Sequence, residues 1–248
     1  MVTEWSASMD ASLFHALVDG VNAVSRDCWL TPSCTGFECD VLNLSNTVYG
    51  HITLATHVTH AGTGTGKFER IGINAGKMSQ TITGSGPITI EHGDNTLTVK
   101  AGRSRFRFVD YAPSIMREYK DLTHMKSGTV CTVPCKDLYQ AVMQVDKFCT
   151  CDTVGAHVKV YVEFNKDELV VRDRDKNIEI SIQVDAMNKQ VQDTIVLSSA
   201  YLQQLAQYMK QVYEHVNVCA SVPDKPVIFD CSNNESGCMF VVAPVMDM

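Results

Sequence analysis

The 248-residue chain spells one order of elements twice, at a period of about 125 residues, and this duplication restricts its fold more than any single motif. In each half a lead strand is followed by a helix, three strands, a second helix and three more strands. In the first half, residues 10–25 place Leu13, Phe14, Leu17, Val18, Val21 and Val24 on one helical stripe, with Ser12, His15, Asp19 and Asn22 opposite. "CWLTPS", "GFECDVLNL" and "TVYGHITLATHV" then read as strands, being short, β-branched or aromatic and bounded by Pro, Ser and Gly. A shorter helix over residues 74–83 precedes "ITIEHG", "TLTVKAG" and "SRFRFVDY", joined by tight turns at Gly93-Asp94-Asn95 and Gly102. In the second half "TVCTVP" leads into a helix over 136–149, whose Leu138, Val142, Val145 and Phe148 fall at i, i+4 and i+7 spacing. "HVKVYVEFN", "ELVVRDRD" and "NIEISIQVDA" follow as strands. Ser198 and Ser199 are placed to cap a helix over 200–214 that buries Leu202, Leu205, Met209 and Val212. "VNVCASV", "PVIFDCS" and "GCMFVVAP" complete the repeat. The halves share little residue identity, so the expectation is an α+β chain of two topologically equivalent domains, residues 1–111 and 129–248. Between them "APSIMREYKDLTHMKSG", residues 112–128, has a Pro, mixed charge and no clean period, and reads as a connecting segment.

Composition narrows the functional classes. Apolar residues make up 45% and charged residues 20%, which is enough for a true core and too apolar for disorder. "MVTEWSASMD" has acidic residues and no apolar run, and no stretch reaches the ~18 apolar residues of a membrane span, so an intracellular location is expected. In a reducing compartment the ten cysteines are free thiols by default. None forms a C-x-x-C, and Cys131/Cys135 and Cys149/Cys151 lack a second pair at zinc-finger distance. Cys151 with His157 leaves a zinc site open beside the plainer reading of small buried hydrophobes. A net charge of −7 argues against a surface that coats nucleic acid throughout, though it allows a local basic strip.

"THAGTGTGKFERIG" resembles a phosphate loop at first sight and fails the template twice. Ala61 stands where the first Gly belongs, and Phe68 stands where a metal-binding hydroxyl belongs. "KFERIGI" alternates like a short strand, whereas a phosphate cradle needs a helix N-terminus. A Gly-rich surface loop is the expected reading. The eight histidines are scattered, with no H-E-x-x-H and no G-x-S-x-G, so no catalytic residue, metal or cofactor is expected. Asp173 and Asp175 in "DRDKNIE" could bind a metal, but are better read as a turn between strands.

"CWLTPSCTGFECDVLNLSN", "INAGKMSQTITG", "LTVKAGRSRFRF", "SSAYLQQLAQYMK" and the terminal "FVVAPV" occur in an order and at distances that resemble the archaeal and eukaryotic DNA sliding clamp family, proliferating cell nuclear antigen. The likeness covers essentially the whole chain. It implies outer antiparallel sheets with two inner helices per domain, and a homotrimeric ring that encircles duplex DNA as a processivity factor and is not an enzyme. The location implied is cytoplasmic in an archaeon or virus and nuclear in a eukaryote. Three sets of residues follow. Helix positions facing DNA would be His15, Lys77, Gln80, Lys136, Gln140, Lys147, Gln203, Gln207 and Lys210, although the first helix also carries Asp19, contrary to a basic face. The subunit contact would pair the strand bearing Arg103, Arg105, Phe106, Arg107 and Phe108 with the strand bearing Ile178, Glu179, Ile180, Ile182 and Asp185. A pocket for short aromatic and aliphatic motifs of DNA polymerase, clamp loader, ligase or nuclease would use Leu42, Asn46, Val48, Ile115, Met116, Leu122, Val241, Ala243, Pro244 and Val245. Each set has a plainer alternative: solvated helix faces, ordinary sheet faces, or a sealed domain junction. Two other functions stay open. One is a clamp-like scaffold that never encircles DNA; the other is a nucleotide-binding enzyme using Gly62–Lys67.

Overall fold

The structure is a computed structural model and describes residues 4–60, 68–116, 118, 121–125, 128–149, 158–165, 167–184, 194–220 and 225–245. The first half runs β1 (Trp5–Asp10), α1 (Ala11–Asn22), β2 (Asp27–Ser33), β3 (Gly36–Leu42), β4 (Val48–Ala55), β5 (Val58–His60), β6 (Ile71–Asn74), α2 (Ala75–Thr81), β7 (Pro87–Gly93), β8 (Thr96–Ala101) and β9 (Ser104–Val109). Two short 3-10 turns, Pro113–Ile115 and Thr123–Met125, lie in the connecting segment. The second half runs β10 (Cys131–Pro134), α3 (Cys135–Asp146), β11 (Lys159–Asn165), β12 (Glu168–Arg172), β13 (Glu179–Gln183), β14 (Ile195–Ser198), α4 (Ser199–Val212), β15 (His215–Cys219), β16 (Val227–Ser232) and β17 (Ser236–Val242). By contact density the chain forms two compact units. One comprises Met1–Leu44, Gly50–Asp121 and Asn233–Cys238, and the other Ser45–Tyr49, Leu122–Ser232 and Met239–Met248.

The duplication is visible in the strand pairing. β1 pairs with β7 as β10 pairs with β15, and β2 pairs with β6 as β11 pairs with β14. The hairpins β2–β3 and β7–β8 answer to β11–β12 and β15–β16, all antiparallel. This is the α+β architecture that the sequence predicts, with two helices in each half. Two strands went unseen in the sequence pattern. β14 is a four-residue "IVLS", too short to show a period, and β5 had been merged with β4 in "TVYGHITLATHV".

Each helix begins on the residue after a strand ends, so the last strand residue stands at the N-cap. Asp10 accepts from the Ser12 amide at 2.9 Å, and Asn74 accepts from the Lys77 amide at 2.7 Å, each satisfying one of the orphan donors of a helix start. The expected serine cap of α4 is corrected. Ser198 occupies the N-cap without a side-chain cap bond, while the Ser199 hydroxyl donates to the Asp146 carboxylate on α3. Through this charge-assisted bond the serine ties α3 and α4 together. The predicted stripe of α3 is likewise shortened. The helix ends at Asp146, the Phe148 amide turns back to the Val145 carbonyl, and Phe148 is 63% exposed. Of the other stripe residues, Phe14, Leu17, Val18 and Val21 on α1, Leu138, Val142 and Val145 on α3, and Leu202, Leu205 and Met209 on α4 are buried as read, whereas Leu13 on α1 and Val212 at the end of α4 are only half-buried. Each large side chain so buried contributes about 1.5–3 kcal/mol.

Two local features hold the sheets of the first unit. At Gly36 (φ 155°) an added Cβ would stand 2.0 Å from the Leu54 carbonyl oxygen, so only glycine lets these backbones approach. At the rim of the five-stranded sheet (order β5-β1-β7-β8-β9), His92 is 6% exposed and stacks on Trp5 at 5.4 Å. Its Nδ1 meets the Glu4 carboxylate at 3.0 Å and its Nε2 meets the Asp110 carboxylate at 2.7 Å, so both ring nitrogens donate when the ring is charged. Burial pushes the imidazolium down, but the Asp110 and Glu4 carboxylates outweigh it and the net shift is upward. A raised folded value means that the full contribution is present below the usual ~6.5 of histidine and is lost as pH rises through the folded value. The melting temperature is therefore expected to fall as pH is raised from 6.5 upward, and the His92→Gln variant to lose that part of the slope. Parallel melting curves for the two proteins would show that the clamp is not titrating.

Seven of the nine described cysteines are buried, in keeping with their reading as small hydrophobes; Cys34 is exposed and Cys149 half-buried. Burial pushes the Cys131 thiol up to about 12, so it stays protonated. Cys151 and His157 lie outside the described residues.

Candidate functional site

The helix faces come first, because α1 packs on α2 and α3 on α4 within their own units. In the first pair His15 is half-buried, while Lys77 and Gln80 are exposed. Asp19, the residue that argued against a phosphate-facing helix, accepts a hydrogen bond from the Ser79 hydroxyl at 2.8 Å, which draws it into the α1–α2 contact. In the second pair Lys136, Gln140, Lys147 and Gln207 are exposed. Gln203 turns inward to donate to Ser199, and the Lys210 ammonium lies 3.6 Å from the centre of the Tyr139 ring. That cation–π contact holds the lysine stem across the helix pair while its charge stays at the surface. Each pair thus presents exposed polar side chains with a few cations among them.

The predicted contact strands are both sheet edges. β9 pairs only with β8, and β13 only with β12, among the described residues. Along β9, exposed Arg105, Arg107 and Val109 alternate with half-buried Phe106 and Phe108, while Arg103 sits in the preceding turn. Along β13, exposed Glu179, Ser181 and Gln183 alternate with half-buried Ile180 and buried Ile182. Ile178 precedes the strand, and Asp185 lies outside the described residues. Beside β13, the α3 residues Asp137, Gln140, Ala141 and Gln144 complete a groove of about 360 Å³. Asp173 takes no part: its carboxylate accepts from the Ile178 amide and the Asn177 amide nitrogen, which fixes the β12–β13 turn.

The third surface is an apolar pocket of about 250 Å³ in the first unit, lined by Ser25, Asp27, Leu42, Leu44, Tyr111, Ile115 and Met116. Leu42, Ile115 and Met116 are brought together as expected. Leu44, 82% exposed, is an unexpected member, with Ile115 at 71% beside it in the lining. The remaining predicted residues belong to the second unit. Val48 and Val241 are buried, and Leu122, Ala243, Pro244 and Val245 are half-buried. Asn46 adopts a left-handed turn conformation (φ 57°), Ala243 donates its amide to Thr47, and Val245 donates to Val196. Ser25, Asp27 and Tyr111 carried no local signal; strand pairing across the sequence delivers them. The Gly62–Lys67 loop lies outside the described residues.

No family model matches the sequence, and no curated protein matches it. Solved structures do. The chain is similar to A. fulgidus PCNA bound to the C-terminal region of FEN-1, with a TM-score of 0.78 and 12% identity over 98% of this chain and 99% of that one. It is similar to the proliferating cellular nuclear antigen of Entamoeba histolytica, with a TM-score of 0.77 and 13% identity over 98% and 100%. A PCNA2-PCNA3 complex from Sulfolobus tokodaii matches at a TM-score of 0.74 and 12% identity over 96% and 98%. With both halves matched end to end, the chain has the two-domain fold of proliferating cell nuclear antigen, the sliding-clamp fold.

Proposed function

We propose that the protein is a DNA sliding clamp: a homotrimeric ring, without enzymatic activity, that surrounds duplex DNA and tethers polymerase, clamp loader, ligase and nuclease. The carrying observation is the end-to-end fold likeness of a chain that leaves two alternating strands, β9 and β13, at sheet edges. An N-terminal clamp domain (1–111), a connecting segment (112–128) and a C-terminal clamp domain (129–248) supply the repeats. Head-to-tail pairing of β9 in one copy with β13 in the next would set Arg105 and Arg107 beside Glu179 and close a ring when the rotation closes. His15, Lys77, Gln80, Lys136, Gln140, Lys147, Gln207 and Lys210 would then meet phosphates weakly and without sequence preference, since topology rather than affinity retains a clamp. Partner peptides would dock through two aromatics and an aliphatic residue at the pocket around Leu42 and Met116.

The test is retention on DNA. Loaded protein is expected to stay on a closed circle through a salt wash and to be lost when the circle is cut, because only encirclement distinguishes the two. Equal loss from both forms would leave a clamp-like scaffold that binds proteins alone.

A further inference from the structure

We infer that Gly72 is the positioning residue of the peptide pocket: its missing side chain seats Met116 against β6 and so sets how large a side chain the pocket admits. The inference rests on the docking reading of that pocket.

The segment after β9 is laid along β6 at two fixed points that flank Gly72. The Tyr111 amide donates to the Gly72 carbonyl at 2.8 Å, and the Asn74 side-chain amide donates to the Tyr111 hydroxyl at 2.8 Å. Further along, Arg70 donates to the Glu118 carboxylate at 2.5 Å while its guanidinium lies over the Trp29 ring, 4.3 Å from the centre. Met116 falls between these ties. A Cβ built on Gly72 would stand 2.7 Å from Met116 Cγ, 2.9 Å from its sulfur and 3.0 Å from Tyr111 Cβ. The glycine is therefore needed for contact and not for backbone freedom, since its φ is not in the left-handed region. Any larger residue must push Met116 off β6. The Tyr111 amide bond holds the backbone beside Gly72, so the flexible Met116 side chain is the part that swings, and it shares the pocket lining with Leu42, Leu44 and Ile115.

The test is a double-mutant cycle with a peptide bearing two aromatics and one aliphatic residue, read by calorimetry beside melting curves. Gly72→Ala is expected to weaken binding roughly tenfold or more with little change in melting temperature, because a flexible methionine yields before the fold does. In the Met116→Ala background the same glycine change is expected to cost much less, since the Cγ and sulfur it would strike are gone and only the 3.0 Å approach to Tyr111 Cβ remains. Gly72→Ala binding as the parent does, or costing as much without Met116 as with it, would overturn the inference and leave the docking site intact. A parent protein that fails to bind the peptide removes the docking reading and this inference together.

Discussion

The Ile180→Arg variant is expected to weigh 27.4 kDa in solution by light scattering, and the parent, if it forms the proposed ring, three times that. Ile180 sits on β13 opposite Val171 of β12, half-buried in the single chain and next but one to the buried Ile182. In the proposed ring its outer half would be covered by Phe106 and Phe108 of the next copy. A guanidinium there would be set among those apolar side chains, on the face opposite Glu179 and without a carboxylate to pair with. Burying an uncompensated charge costs about 3–5 kcal/mol. At about 1.4 kcal/mol per tenfold, each contact would weaken by roughly 100- to 4000-fold. A closed ring contains three such contacts and loses all of them. The single chain should tolerate the change, because the side chain is already partly open to solvent, so the melting temperature of the monomer should stay close to that of a parent diluted below its assembly range. A variant that keeps the trimer mass would show that β13 is not the contact strand, whatever the ring turns out to be.

How much of this was legible depends on the range over which each signal acts. The buried stripes of α1, α3 and α4 are local periodicities and could be read directly, and the alternation along β9 and β13 was equally plain, down to Phe106 and Ile180. Where a local rule met a competing contact it failed. Ser199 was read as a cap and turned out to bond Asp146 on another helix, 53 residues away. Phe148 kept the spacing of the stripe, but α3 had already ended at Asp146. The pocket is mostly a product of distance in sequence. Leu42 and Met116 could be placed by resemblance, yet Asp27 and Tyr111 arrive through pairing with β6, where Asn74 also bonds both, 47 and 37 residues away respectively. Gly72 shows the same limit: "ERIGIN" gives no hint that a methionine 44 positions on must rest against it, because a glycine in a strand advertises only that something comes close.

Leu44 is where that long-range assembly makes its sharpest claim, and Leu44→Asp is expected to lose about 30- to 1000-fold in affinity for an aromatic and aliphatic motif peptide, the ~2–4 kcal/mol of a binding hot spot. Asn43, Ser45 and Asn46 surround it in a polar turn, and a leucine 82% exposed there gains little for the fold. On docking it would gain the ~1.5–3 kcal/mol of burying a large aliphatic side chain, and aspartate in its place would add the cost of desolvating a carboxylate in a pocket whose lining already includes Asp27. Since the side chain lies outside the core, the melting temperature should hardly move, as for other exposed substitutions within about 0.5 kcal/mol. The solution mass should stay that of the parent as well. The variant thus separates the two surfaces: Ile180→Arg should break assembly, whereas Leu44→Asp should leave an intact ring, still retained on circular DNA, that no longer recruits peptide-bearing partners. Unchanged peptide affinity in Leu44→Asp would mean that this pocket is not the dock, and the exposed leucine would then be an ordinary surface residue.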